Sequence, residues 1–137
     1  MDVKNKRVVV TGAASGIGKA LCEAFHEADA QSIVAVDMNL DGAQETADSV
    51  NGIAVQANVG NEKDIINVIK QADEHAGGTD IFCSNAGIGG VPGFFEVEAS
   101  DWQNIWDVNV QSHIFAAKHV LPQMIERGEG YLVNTSS

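Results

Sequence analysis

Short apolar runs alternate along the chain with longer stretches in which apolar side chains recur every three or four positions. Val8-Val9-Val10, framed by Arg7 and Thr11, reads as a strand. From Ile17 to Ala28 the residues Ile17, Leu21 and Phe25 fall at i, i+4 and i+8, one stripe of a helix. Ser32 to Asp37 (S-I-V-A-V-D) is a second strand, Leu40 to Val50 a polar helix, and Ile53 to Val59 a third strand. Asn61, with Asp64 in the turn that follows, predicts an N-cap and a helix to about His75 with Ile65, Val68, Ile69 and Ala72 on its apolar face. Gly77-Gly78 breaks it, and Asp80 to Ser84 is a fourth strand leading into a Gly-rich loop, I-G-G-V-P-G. Ser100-x-x-Gln103 fits a capping box and is expected to open one helix reaching about Arg127, with Pro122 as its kink. Tyr131 to Asn134 is the fifth strand, with Tyr131 expected to pack on a helix.

Strand and helix alternate throughout, and the strands are nearly continuous in apolar residues. Such strands are buried on both faces. The pattern predicts an α/β fold, a doubly wound parallel sheet of Rossmann type with right-handed crossovers and strand order 3-2-1-4-5. The length, 137 residues, suits one domain.

Composition narrows the function. Eight Lys and Arg stand against 19 Asp and Glu, a formal charge of −11. So acidic a chain repels nucleic acid and anionic membranes. No run approaches the roughly 18 apolar residues that span a bilayer, and no signal-peptide pattern opens the chain, so a cytoplasmic protein is expected. Cys22 and Cys83 form no C-x-x-C pair and read as small apolar residues of a reduced compartment. His113 and His119 are six apart, neither i+3 nor i+4, and with His26 and His75 near helix ends no metal site is expected. Glu96, Glu98 and Asp101 read as solvated charges, and Trp102 and Trp106 as a packed helix face.

The first turn carries chemistry. Thr11-Gly12-Ala13-Ala14-Ser15-Gly16-Ile17-Gly18 joins strand to helix with spacing G-x-x-x-G-x-G. Gly12 can take a turn conformation closed to residues with a Cβ, Gly16 leaves room for a pyrophosphate, and Gly18 allows close packing. The helix N-terminus near Ser15 offers N–H groups and a positive dipole end to phosphates. Asp37 ends the second strand 25 positions after Gly12, near where an acid meets adenosine ribose hydroxyls. A carboxylate there repels a 2′-phosphate, and neither Met38 nor Ser15 supplies a cation, so NAD is expected over NADP.

Together these residues resemble the short-chain dehydrogenase/reductase family. Thr11-Gly12-x-x-x-Gly16-Ile17-Gly18 looks like its cofactor motif, Ser84-Asn85-Ala86-Gly87 its N-N-A-G, and Asn58-Val59 its Asp-Val pair at the adenine. The resemblance implies a cofactor-binding set of Gly12, Ser15, Gly16, Ile17, Gly18, Asp37, Asn58, Val59, Asn85, Ala86 and Gly87. Asp107-Val108-Asn109-Val110 is similar to the segment with the catalytic-site Asn, here Asn109, although Ser112 stands where Gly is usual. Val133-Asn134-Thr135-Ser136-Ser137 looks like the strand that delivers the catalytic Ser, here Ser137. The implied reaction is hydride transfer between a nicotinamide and a small alcohol or ketone, by an enzyme that forms a dimer or tetramer.

The family's Tyr-x-x-x-Lys is not found. The only tyrosine is Tyr131, with Thr135 four positions on. The 137 residues are therefore expected to be an incomplete dehydrogenase, one NAD-binding Rossmann domain without catalysis of its own. A non-catalytic NAD-binding or interaction module is the alternative. A methyltransferase-type domain is disfavoured by the S-N-A-G segment and the serine-ended fifth strand.

Overall fold

A computed structural model describes residues 2–90, 93 and 95–136. Five parallel strands, β1 (Arg7–Thr11), β2 (Ser32–Asp37), β3 (Ile53–Gln56), β4 (Ile81–Ser84) and β5 (Tyr131–Asn134), lie in the order β3-β2-β1-β4-β5. The helices are α1 (Gly16–Glu27), α2 (Leu40–Ser49), α3 (Glu62–Ala76), α4 (Ala99–Trp106) and α5 (Ser112–Arg127). The predicted sheet order and the doubly wound α/β architecture are both observed.

Alternation within the strands divides the core. Val8, Val10, Ile33, Ala35, Ile81 and Cys83 face α1 and α2, where Cys22, Phe25, Ala47 and Val50 meet them. Val9, Val34, Val36, Val55 and Phe82 face the other way, onto Ile65, Val68, Val120 and Met124 of α3 and α5. Period-two burial on both faces of β1, β2 and β4 explains their unbroken apolar runs. Cys22 and Cys83 are buried, and burial pushes both thiols up to about 12, so they act as small core residues.

Five local expectations are corrected. β3 ends at Gln56 rather than Val59. Asn58 Oδ1 accepts the Gly60 N–H at 3.0 Å and its carbonyl accepts the Asn61 N–H at 2.9 Å, so a side-chain-capped turn replaces the ladder. α4 starts at Ala99 behind Glu98, not at Ser100, because Asp101 Oδ2 reaches back to the Glu98 N–H at 2.9 Å. The long helix is not continuous: a π-helical segment, Asp107–Gln111, separates α4 from α5. Buried Ser112 donates to the Val108 carbonyl at 2.6 Å at that junction. Pro122 lies inside α5. Tyr131 is exposed on the edge strand rather than packed under a helix, and Trp102 and Trp106 are about half exposed.

An ion-pair cluster closes the amino end of the sheet. Asp80, just before β4, accepts the Arg7 backbone N–H at 3.0 Å and Arg7 Nε at 2.7 Å, and pairs with Arg7 Nη2. Arg127 at the end of α5 donates to the Thr79 carbonyl and approaches Asp80 at 3.4 Å. The Arg7 guanidinium, outweighing desolvation, holds the Asp80 carboxyl below its usual range. A depressed folded pKa adds stability above the unfolded value and loses it as pH falls through the folded one. Asp80→Asn should thus cost about 3 kcal/mol at pH 7, the scale of a broken buried pair. In urea melts the gap to wild type should narrow once pH drops below about 4. A gap constant from pH 7 to pH 3 would contradict the ionic role.

Candidate functional site

At the carboxyl end of the sheet, Thr11 is the hub. Its buried hydroxyl donates to the Cys83 carbonyl at 3.2 Å and accepts the N–H groups of Asn85 and Ala86 at 3.0 and 3.1 Å. Its one proton and two lone pairs are all used. Asn85 completes the join: Nδ2 donates to the Thr11 carbonyl at 3.1 Å, and Oδ1 accepts Thr135 Oγ1 at 3.0 Å. The ends of β1, β4 and β5 are thereby stitched together.

The glycines fit into this join. Gly12 has φ +71°, and a Cβ there would stand 2.9 Å from Ala86 Cα. A Cβ on Gly18 would collide with the Gly12 carbonyl, so the first turn of α1 packs against the loop itself. At Gly16 a Cβ would meet nothing within 4 Å, which leaves the open approach that a pyrophosphate needs beside the helix N-terminus. Ser15 takes an extended N-cap conformation, its carbonyl accepts the Lys19 N–H, and its side chain makes no cap hydrogen bond. Ile17, two-thirds exposed, flanks the same opening.

Asp37 stands half-buried at the end of β2 with both oxygens held. Oδ2 accepts the Ala14 N–H at 3.0 Å, and Oδ1 accepts the Asn39 N–H at 2.9 Å. Beside it a cavity of about 130 Å³ opens between Ala57-Asn58-Val59 and Ala86-Gly87-Ile88, with Val108 and Met38 in its lining. The apolar walls and the acid at the rim suit a purine and its ribose. Asn58 is exposed there, its N–H held by Asp64 Oδ2 at 2.9 Å, while Val59 is buried.

Asn109 lies in the π-helical segment. Its Oδ1 accepts the Ile88 N–H at 2.8 Å and its Nδ2 donates to the Ile88 carbonyl at 2.9 Å. The side chain thus braces the loop beyond Gly87. π-helical turns occur often at functional sites. Ser137 lies outside the described residues. Among those described, no three His, Cys, Asp or Glu side chains gather as metal ligands, and no helix is long and apolar enough to cross a membrane. His119 instead meets Glu62 at 2.7 Å, where Lys118 also binds.

The glycines, Asp37, Asn58, Val59 and Asn85 to Gly87 therefore meet along one edge, as their positions at strand ends require. Sequence reasoning missed Asp64, Thr135 and the hub role of Thr11. For Thr11 a signal existed: a hydroxyl at the last position of a strand, directly before a glycine turn.

A family model described as short chain dehydrogenase matches residues 6–137. Glucose 1-dehydrogenase 2 of Bacillus subtilis (strain 168) is 34% identical over 143 residues, covering 99% of this chain and 55% of its own. An uncharacterized oxidoreductase of Staphylococcus aureus (strain MRSA252) is 34% identical, over 97% of this chain and 58% of its own. The crystal structure of a short-chain type dehydrogenase/reductase from Mycobacterium marinum superposes with TM-score 0.91 at 28% identity, over 99% of this chain and 57% of that one. The chain spans somewhat over half the length of these relatives.

Thr11→Val keeps the shape of the hub and removes its hydroxyl, leaving two partly buried N–H donors unpaired. It should lower stability by about 2 kcal/mol in urea unfolding, with Thr11→Ser close to wild type. A valine variant as stable as the serine variant would deny the hub its role.

Proposed function

We propose, for a chain that belongs to the short-chain dehydrogenase family, the cofactor-holding part of an NAD-dependent oxidoreductase acting on an alcohol or its ketone. The observation that carries this reading is the Asp37 carboxylate, fixed by the Ala14 and Asn39 N–H groups at the rim of the apolar slot. So oriented, it can accept hydrogen bonds from ribose hydroxyls, while its charge opposes a 2′-phosphate. Met38 and Ser15 bring no cation to offset that repulsion.

NAD, when bound, supplies a hydride acceptor. The protein's part is to bind and orient: Gly16 and the start of α1 face the phosphates, Asp37 the ribose, and Ala57 to Val59 with Ala86 to Ile88 the base. Asn109 keeps the Gly87-Ile88 loop in place beside the slot, and we assign Ser137 the positioning of the substrate oxygen by resemblance. Proton transfer needs a group of matched pKa within reach. Tyr131 sits on the edge strand with Thr135, not a lysine, four positions on, so these 137 residues should hold NAD without turning over substrate. That behaviour alone would also suit a non-catalytic NAD-binding module, and activity of a longer natural chain carrying the Tyr and Lys separates the two.

Isothermal titration of the 137-residue polypeptide should show NAD binding at least about tenfold tighter than NADP, the factor that 1.4 kcal/mol of charge repulsion gives. Asp37→Ala should erase the preference. Equal or stronger binding of NADP by wild type would overturn the assignment, and S-adenosylmethionine binding without NAD binding would move the fold to another chemistry.

An apolar surface supports the homo-oligomer reading. Trp102, Trp106, Val110, Ile114, Leu121 and Ile125 form an exposed apolar stripe along α4, the π-helical segment and α5. Monomers rarely leave such stripes bare. Sedimentation should find a dimer or larger species that Ile114→Lys dissociates; a monomer at about 100 μM, which needs a Kd weaker than that concentration, would contradict it.

A further inference from the structure

The Ala13–Ala14 peptide group sits between the turn after β1 and helix α2. Its carbonyl accepts the Thr46 hydroxyl at 2.8 Å, and its N–H donates to Asp37 Oδ2 at 3.0 Å. One planar amide is therefore held at both ends. A peptide plane cannot turn its N–H without turning its C=O. The Thr46 hydrogen bond thus sets the direction in which the Ala14 N–H meets the carboxylate.

Thr46 is fully buried in α2 and has a single hydroxyl proton. The Gly42 carbonyl, one turn back in its own helix, lies at 3.1 Å, the usual partner of a helical threonine. The shorter contact goes across to the loop instead. Close approach makes that contact possible: a Cβ at Gly42 would stand 2.8 Å from Ala14 Cβ. The second N–H on Asp37 belongs to Asn39, the N-cap of the same helix. Helix α2 therefore governs both backbone donors that hold the acid.

We propose that Thr46 is a positioning residue for dinucleotide discrimination: through the Ala13–Ala14 peptide it fixes the Asp37 carboxylate in the orientation that accepts ribose hydroxyls and opposes a 2′-phosphate. This rests on the NAD reading of the site. Thr46 touches no ligand itself and acts only through the peptide and the acid.

Thr46→Val preserves shape and removes the proton, and Thr46→Ser restores it. Titration calorimetry with NAD and NADP should show the valine variant losing about five- to tenfold in NAD affinity, the scale of one hydrogen bond, with NADP changed less than about twofold. The serine variant should recover the wild-type ratio. Amide exchange at Ala14, read by NMR without ligand, should speed up in the valine variant while Val34 in the core stays protected. Should the valine variant fail to fold, Thr46→Cys, a weaker donor of similar size, should give an intermediate ratio. An equal loss for both dinucleotides, or an unchanged ratio with unchanged Ala14 exchange, would reduce Thr46 to packing and overturn the proposal. A wild-type chain that binds neither dinucleotide would overturn the NAD reading and this proposal with it. A wild type that prefers NAD beside a valine variant with an unchanged NAD-to-NADP affinity ratio overturns this proposal alone.

Discussion

The close approach of the Gly12–Gly18 turn to the Asn85-Ala86 segment is the constraint on which the site depends. It brings two backbones together where a Cβ on Gly12 would stand 2.9 Å from Ala86 Cα. Partly buried backbone groups at such a junction need partners: the Thr11 hydroxyl accepts the Asn85 and Ala86 N–H groups, and Asn85 Nδ2 donates to the Thr11 carbonyl. Because the junction is closed by hydrogen bonds rather than by large side chains, it leaves the carboxyl edge of the sheet open. The slot, the helix N-terminus and the acid border that opening. Opening and rigidity follow from the same residues.

The two ends of the sheet are built differently. At the amino end, Asp80, Arg7 and Arg127 tie β1, the start of β4 and the end of α5 with charge. At the carboxyl end, neutral groups join β1, β4 and β5, and among the described residues Asp37 is the one carboxylate lining the slot. On the proposed NAD reading, an ion-pair cluster at that end would place cations near the ribose and weaken discrimination against a 2′-phosphate.

Much of this was legible in the sequence. The parallel, doubly wound sheet follows from βα alternation, because crossovers have one favoured hand and β1, β2 and β4 are apolar on both faces. Gly12, Gly18 and Asp37 were legible because steric demand and charge restrict those positions to few residue types. What was not legible depended on competition between local bonds. The Asx turn at Asn58 cut β3 short although I-A-V-Q-A-N-V reads as one apolar run. The π-helical segment at Asp107–Gln111 leaves no period in the sequence, since one added residue shifts the stripe without erasing it. Thr46 was hidden in a polar helix because its partner, the Ala13 carbonyl, is 33 positions away and carries no side-chain signature.

The central claim is that one edge of the sheet forms a dinucleotide site. A titration of the 15N-labelled chain with NAD, followed by amide chemical shifts, tests it most directly. The account predicts shifts confined to Gly12–Gly18, Asp37–Asn39, Asn58–Val59 and Asn85–Ile88, with the Asp80 region at the opposite end unmoved. Shifts centred on the α4–α5 surface or the amino end of the sheet, or no shifts at millimolar NAD (Kd far weaker than about 1 mM), would contradict it.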